Sequence, residues 1–278
     1  MHLARGETDE ALATARIVEE RWGVVHAGAY VDADRLEELD AALERAPASA
    51  DYPWFAGRLP ALRGRVAEAL QALEGGEGPG GADDVTVSAV ASARAAVLIL
   101  RGDQAAVERA LAEAIGAAGG TSQQAWLFAE AGNLDRARAL GRRGTDGRTG
   151  HRMVRALELW KGGDREATLA QLATIAVSPT WFYRGAILAE VGRHREAVEA
   201  FRRYRRQRHV DASTSSAFLF EPAFVPRSLY LEATSLEALG DRDEARQVIR
   251  RLLRLWDKAD PDLPLLGEAQ ALDRRLRT

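Results

Sequence analysis

Apolar and polar positions in the second half of the chain alternate at helical spacing within a fixed longer period. Each unit has a glycine, a short polar stretch and then an alanine five positions after the glycine, as in Gly132–Ala137. The glycines at Gly132, Gly162, Gly192 and Gly240 are 30, 30 and 48 residues apart, and Gly102 begins a further unit 30 residues upstream. A fixed period of roughly 20–50 residues is typical of a solenoid.

Each unit predicts two helices joined by a tight turn. In the clearest copy the first helix carries one apolar stripe, at Trp181, Gly185 and Leu188. Gly192 then ends that helix, because glycine tolerates the positive φ that a helix C-terminus often needs. The inner face of the second helix is formed by Ala197, Phe201 and Tyr204. Neither helix can bury this face alone, so the units must stack on one another.

The spacing of these residues resembles the tetratricopeptide repeat. The second-best copy has the same spacing at Leu229, Ala233, Leu236, Gly240, Ala245 and Ile249. The copies at Gly102, Gly132 and Gly162 are weaker, and in the last of them Arg155 replaces the expected small residue. The resemblance covers residues 85–260. It implies an all-α fold, an α-α superhelical solenoid of stacked antiparallel helix pairs, and a non-catalytic protein–protein interaction scaffold.

The C-terminal stretch is similar to a narrower group, the end of the tetratricopeptide region in large bacterial proteins. The segments that carry this likeness are Pro226–Tyr230, Gly240–Asp241 and Leu255–Pro261. In that group the region often follows a serine/threonine kinase or a DNA-binding regulator domain, which implies a larger bacterial signalling or regulatory protein. The chain has no kinase glycine loop and no winged-helix module, so neither activity is implied for it.

The likeness and the period together predict one helical-repeat domain over residues 1–278. Its parts are irregular N-terminal helices (1–75), a Gly-rich linker (75–84), the repeats (85–262) and a polar capping helix (264–278). In the N-terminal part, helices are predicted over Asp9–Trp22, Asp34–Arg45 and Tyr52–Leu73, the last broken near Pro60. Gly6–Ala11 repeats the turn signature, which predicts a piece of a longer repeat protein whose open N-terminal end a second copy would cover.

The 48-residue step exceeds the roughly 34-residue period and predicts an insertion between His209 and Arg227. Loops of this length are typically functional or disordered. Because Phe218, Phe220 and Phe224 are costly to leave in water, we expect them to pack on the protein's own surface, an external interface being the alternative. The insertion ends just before Tyr230, where it is placed to close or occupy a groove.

Composition excludes several classes of function. The 278 residues carry 38 Lys+Arg against 41 Asp+Glu, a balance that argues against a dedicated nucleic-acid binder. The absence of cysteine excludes disulfides, thiolate zinc sites and cysteine nucleophiles.

Only Lys161 and Lys258 are lysine, and 53 residues are alanine, which indicates a GC-rich, bacterial coding sequence. We predict a cytoplasmic protein without a membrane segment, since the longest apolar run, Ala95–Leu100, is far short of the roughly 20 residues needed.

No pattern of catalytic or metal-binding residues emerges. Glu190 and His194 are four apart, but the Gly192 turn separates them, and His209 with Asp211 lacks a third ligand. The Gly-rich stretch lacks the Lys and Ser/Thr of a phosphate loop. The sequence therefore predicts no enzyme, no cofactor and no metal.

The run from Phe201 to His209 allows two interpretations. Arginines interleaved with aromatic residues are typical of phosphate binding, so a nucleic-acid or polyanion partner at Arg202–Arg208 is the alternative function. The repeat instead requires Phe201 and Tyr204 inside, and arginines complement a helix C-terminus. We favour this second interpretation and predict no specific nucleic-acid binding.

First helices line the concave face of such a solenoid, which predicts a groove for an extended or helical peptide. The side chains expected there are Trp126, Glu130, Arg152, Trp160, Phe182, Glu190, Tyr230 and Glu237. Aromatic residues and arginine are the usual anchors of interfaces. The alternative is that Trp126, Trp160 and Phe182 belong to the core. A purely structural role, spacing or dimerising other modules, is a third hypothesis.

Overall fold

Helices are the elements that the structure, a computed structural model, shows in the part of the chain that it describes. That part comprises residues 8–10, 12–17, 19, 27–45, 57–74, 84–118, 120–141, 147–175, 177, 179–206 and 215–278. In chain order the helices are α1 (helical residues 8–10, 12–17 and 19), α2 (Ala27–Asp32), α3 (Leu36–Arg45), α4 (Arg58–Leu62), α5 (Val66–Glu74), α6 (Asp84–Leu98), α7 (Gln104–Ala118), α8 (Ser122–Glu130), α9 (Leu134–Gly141), α10 (Gly147–Lys161), α11 (Arg165–Ala173), α12 (Pro179–Glu190), α13 (His194–Arg205), α14 (Ser215–Ala238), α15 (Arg242–Leu255) and α16 (Pro264–Arg277).

The repeating units are the stacked helix pairs α6–α7, α8–α9, α10–α11, α12–α13 and α14–α15. The turn inside each pair has one glycine at positive φ, from 69° to 92°, at Gly102, Gly132, Gly163, Gly192 and Gly240. A side chain is strained in that conformation, which is why the glycine recurs once per unit. The predicted all-α helical-repeat solenoid is confirmed.

One unit has a different register from the one that the sequence suggested. The positive-φ glycine between α10 and α11 is Gly163, not Gly162. Counted from Gly163, the small residues that the repeat requires are Ala156 in the first helix and Thr168 in the second, both buried. Arg155, which seemed to break the pattern, is an exposed neighbour of the true small position. Two adjacent glycines made the turn ambiguous in the sequence.

The contact inside the α12–α13 pair shows why one first-helix position must be small. A Cβ atom added to Gly185 would lie 2.6 Å from Cε1 of Phe201, closer than side-chain carbons approach. Phe201 is itself fully buried. The missing side chain therefore makes room for a large ring and lets the two helices approach closely.

The described part of the predicted insertion, residues 215–226, is helical rather than a loop. Helix α14 runs without a break from Ser215 to Ala238 and contains Pro222 and Pro226. Each proline inside a helix removes one backbone hydrogen bond and destabilises the helix locally. Residues 221–226 are all buried. The stabilisation from burying them outweighs the loss of the backbone hydrogen bonds at the two prolines. The insertion therefore extends the first helix of the last repeat at its N-terminal end.

The N-terminal helices fold back against the C-terminal repeats. Helix α2 packs on α13 and α14, and both α4 and α6 pack on α14. The predicted break near Pro60 lies instead at Gly64, with φ 72°. Pro60 is in the first turn of α4, where no helical N–H is lost.

Hydrogen bonds and ion pairs between distant parts of the chain stabilise the packing of the N-terminal helices against the C-terminal repeats. The backbone N–H of Asp260 donates to the carbonyl of Gly64 at 3.0 Å, and the Trp256 indole N–H donates to the carbonyl of Leu62 at 2.9 Å. Arg254 lies 2.6 Å from the carboxylate of Asp34. Arg58 and Glu221 form an ion pair that is nearly buried. Gly6, Glu7 and Ala11 of the predicted open N-terminal turn, most of the linker and His209 lie outside the described residues.

Candidate partner-binding face

The corrected register moves the two predicted residues of α10 by one position. Relative to Gly163, Arg152 takes the place that Trp181 has relative to Gly192. Arg152 donates to the carbonyl of Thr174, at the end of α11, at 3.2 Å. Lys161 takes the place that was assigned to Trp160, and its ammonium group donates to the carbonyl of Ala129 on α8. The register that placed Arg152 in the groove was counted from Gly162, and the structure has Gly163 in the turn.

Three of the predicted groove residues lie inside the protein. Trp126 is only 4% exposed and its indole N–H donates to the hydroxyl of Tyr183. That hydroxyl in turn donates to the carboxylate of Glu130, whose side chain is 8% exposed. Arg227 of α14 completes the chain of contacts, with 3.2 Å between its Nη1 and Glu130. We name these four residues, Trp126, Glu130, Tyr183 and Arg227, the central network.

Phe182, the third of these residues, is stacked rather than presented to a partner. Its ring is fully buried and lies parallel to that of Phe224, with 4.3 Å between centroids and 9° between planes. The guanidinium carbon of Arg227 lies 4.9 Å from the centroid of Phe182. The helical insertion thus fills the face that the sequence left open. Phe218 and Phe220 have side chains outside the described set.

The electrostatics of the interior follow from burial. Burial, followed by the negative charge of Glu130, raises the pKa of Tyr183 well above its ordinary value. Burial also lowers the pKa of Lys161, and the nearby Glu130 opposes this effect. Tyr183 therefore stays protonated and serves as a hydrogen-bond donor to Glu130 in the neutral pH range.

The accessible part of the face lies at the C-terminal ends of α10 and α12. The Trp160 indole N–H donates to both carboxylate oxygens of Glu190, at 3.1 and 3.0 Å. Arg165 is paired with the same carboxylate at 2.9 Å. Trp160 is partly exposed and Glu190 is exposed. The rings of Trp160 and Tyr183 meet in a T-shaped arrangement, with 5.9 Å between their centroids. We name Trp160, Glu190 and Arg165 the exposed edge.

The two predicted residues of α14 face the C-terminal helix. Glu237 accepts two hydrogen bonds from Arg275 of α16, at 2.8 and 2.7 Å, and this bonding lowers the pKa of its carboxyl group. Burial raises the pKa of the partly exposed Tyr230, and Glu268 of α16 adds to that effect. Helix α16 therefore contacts these polar side chains of α14, the first helix of the last repeat.

Two of the arginines suggested as a polyanion surface, Arg202 and Arg205, are engaged in ion pairs within the protein. Arg202 is paired with Glu232 at 2.6 Å and with Glu244 at 2.7 Å. Arg205 is buried, pairs with Glu232 and donates to Ser228 at 3.1 Å. The end of the run, at Arg208, lies outside the described residues. Internal pairing, which the sequence could not show, removes two of these charges from the surface.

The described residues contain no group of histidines and carboxylates that could hold a metal ion. None of the helices in the described ranges combines the length and the apolar character that crossing a membrane requires. The contacts described for this face are hydrogen bonds, ion pairs and aromatic contacts.

Comparison with known families identifies the last full helix pair. Residues 227–259, which cover the second half of α14 and all of α15, match the model of the tetratricopeptide repeat. The chain carries a tetratricopeptide repeat. No curated protein and no solved structure matches the chain. A tetratricopeptide repeat suggests a protein–protein interaction scaffold.

Proposed function

We propose that this protein is a non-catalytic scaffold that binds an extended or helical peptide at the exposed edge. The observation that carries the proposal is a partly exposed tryptophan held by a carboxylate on the first-helix side of a tetratricopeptide-type solenoid. Trp160 offers an aromatic surface, and Glu190 and Arg165 offer an acceptor and a donor beside it. Aromatic residues and arginine are the usual anchors of protein interfaces.

The internal pairing of Arg202 and Arg205 supports a protein partner over a polyanion. Glu232 and Glu244 together offset the charges of these two guanidinium groups, so a phosphate backbone would have to compete with existing ion pairs. The bacterial, cytoplasmic and signalling context stays a prediction from composition and resemblance.

A peptide-selection experiment tests this function. A display library of random peptides is selected against the intact protein, and the affinities of the recovered peptides are measured by fluorescence anisotropy. Trp160→Ala should weaken binding by roughly tenfold or more, since truncating a central aromatic anchor removes most of its contact area. Glu190→Gln should weaken binding less, because the amide keeps the shape and loses the charge.

Tyr230→Ala is the matched control for Trp160→Ala. Tyr230 is also a partly exposed aromatic residue, on helix α14, but its charged neighbours are Glu268 and Arg275 of α16 instead of the exposed edge. Circular dichroism confirms that each variant keeps its helices. Peptides that bind Trp160→Ala and the unchanged protein equally well would show that the exposed edge is not the binding face.

A further inference from the structure

Two arginines share one tryptophan ring on the outer side of the α12–α13 pair. The guanidinium carbon of Arg184 lies 4.4 Å from the Trp181 ring centroid, and that of Arg203 lies 3.9 Å from it. Trp181 and Arg184 are three positions apart on α12, whereas Phe182 and Tyr183 of the same helix contact Phe224 in the interior. This arginine pair therefore faces away from the central network.

Neither guanidinium has an acidic partner within the described ranges. The structure gives Arg184 and Arg203 no ion pair there, and Nε of Arg184 is buried without a hydrogen-bond partner. The nearby carboxylate of Glu196 is already held by Arg193 through two hydrogen bonds at 2.7 and 2.6 Å. Most other arginines of this region, such as Arg202, are paired. Two neighbouring arginines without an ion pair are thus a local exception.

The electrostatic environment favours an added negative charge. Burial lowers the pKa of Arg184, the positive charges of Arg203 and Arg193 lower it further, and the negative charge of Glu196 opposes this effect. Stacking on an aromatic face fixes a guanidinium plane while its outer N–H groups remain available for bidentate contacts to an oxyanion. Two positive groups are therefore held in place with no carboxylate paired to them among the described residues, since Glu196 is paired with Arg193.

We propose that Arg184 and Arg203, positioned by Trp181, form a binding site for an acidic peptide segment, with one carboxylate for each guanidinium. A peptide suits this site better than a nucleic acid, because a phosphate backbone needs a longer run of free cations. The neighbouring Arg202 and Arg205 are already paired with Glu232. The site lies on a different side of α12 from the exposed edge and does not depend on the function proposed above.

The test measures binding of a fluorescent peptide that contains two adjacent glutamates in a Gly/Ser background. The same peptide with glutamines is the ligand control. Arg184→Gln and Arg203→Gln should each weaken binding of the glutamate peptide roughly tenfold, the effect of losing one charge-assisted bidentate contact. The glutamine peptide should not bind measurably.

Arg195→Gln is the matched protein control. Arg195 is an exposed arginine of the same helix α13, and its substitution changes the net charge by the same amount. An equal loss with Arg195→Gln would overturn the proposal, because it would show attraction by overall charge. Tighter binding of single-stranded DNA, or stronger competition by inorganic phosphate than by acetate, would also overturn it in favour of a phosphate site.

Trp160→Ala separates this proposal from the proposed function. This variant should bind the glutamate peptide as well as the unchanged protein does. A glutamate peptide that depends on Trp160 and not on Arg184 or Arg203 would assign acidic peptides to the exposed edge and would contradict the arginine-pair site.

Discussion

The central network and the exposed edge belong to the same predicted face, but the central network is largely buried and the exposed edge is accessible to solvent. Trp126 and Phe182 are buried, and their partners belong to α12 and α14 of the same chain. Trp160 and Glu190 stay accessible and bond mainly to each other. The difference shows that a first-helix position indicates only the direction of a side chain. Whether that side chain is available to a partner depends on what the rest of the chain places against it.

The element that divides the two regions is the N-terminal extension of α14. It supplies Phe224 to the interior, and Arg227 follows on the same helix. The edge formed by α10 and α12 has no equivalent cover among the described residues. The following substitutions test this division, from the largest expected effect to the smallest.

The largest effect is expected for Phe224→Ala. The ring is fully buried and stacked on Phe182, so its removal leaves a cavity and should cost about 3–5 kcal/mol of unfolding free energy. Urea unfolding followed by circular dichroism measures the loss. Leu239→Ala, at an exposed apolar residue, is the control and should change stability by no more than about 0.5 kcal/mol. A small effect of Phe224→Ala would show that the extension of α14 does not fill this face.

An intermediate effect is expected for Tyr183→Phe. The change keeps the ring but removes the hydroxyl group that accepts from Trp126 and donates to Glu130. Leaving buried polar groups without a partner should cost about 1–3 kcal/mol, measured by the same unfolding assay. Tyr230→Phe, at a partly exposed tyrosine, should cost less. Equal losses in the two variants would contradict the burial difference between the sites.

A smaller effect on stability is expected for Trp160→Ala. The ring is partly exposed, and its main interior contact is the edge of Tyr183 at 5.9 Å. We expect a loss of about 1 kcal/mol, in the range of a single aromatic edge contact. The thermal midpoint, measured by differential scanning fluorimetry, should therefore change far less than in Phe224→Ala. A loss as large as that of Phe224→Ala would place Trp160 in the core.

The smallest effect, with a defined pH dependence, is expected for Glu237→Gln. The ion pair with Arg275 is exposed to solvent, so it should contribute well under about 1 kcal/mol. Its hydrogen bonds lower the pKa of Glu237 in the folded state. The contribution is therefore present above the ordinary carboxyl pKa and lost as the pH falls through the lowered pKa. The difference in urea midpoint between the two proteins should shrink on acidification, and a difference that grows would contradict the assignment.

Local patterns in the sequence were enough to predict the helices, their pairing and the need for a small residue at Gly185. They did not decide between Gly162 and Gly163, since two adjacent glycines satisfy the same turn signal and only packing of Ala156 and Thr168 distinguishes them. The 48-residue step predicted a loop between His209 and Arg227, because a spacing says nothing of burial, whereas residues 215–226 are part of helix α14. The pairing of Arg202 with Glu232 depends on contacts between separate helices, which the sequence alone does not show.

Hydroxyl-radical footprinting with mass spectrometry tests the central claim most directly, because it measures side-chain accessibility in the intact protein. The claim is that the predicted face is accessible at Trp160 and closed at Trp126. The account predicts that Trp160 is oxidised much faster than Trp126, which is 4% exposed, and that denaturation abolishes the difference. Oxidation of Trp126 at the rate of Trp160 in the folded protein would show an open central face and would contradict the account.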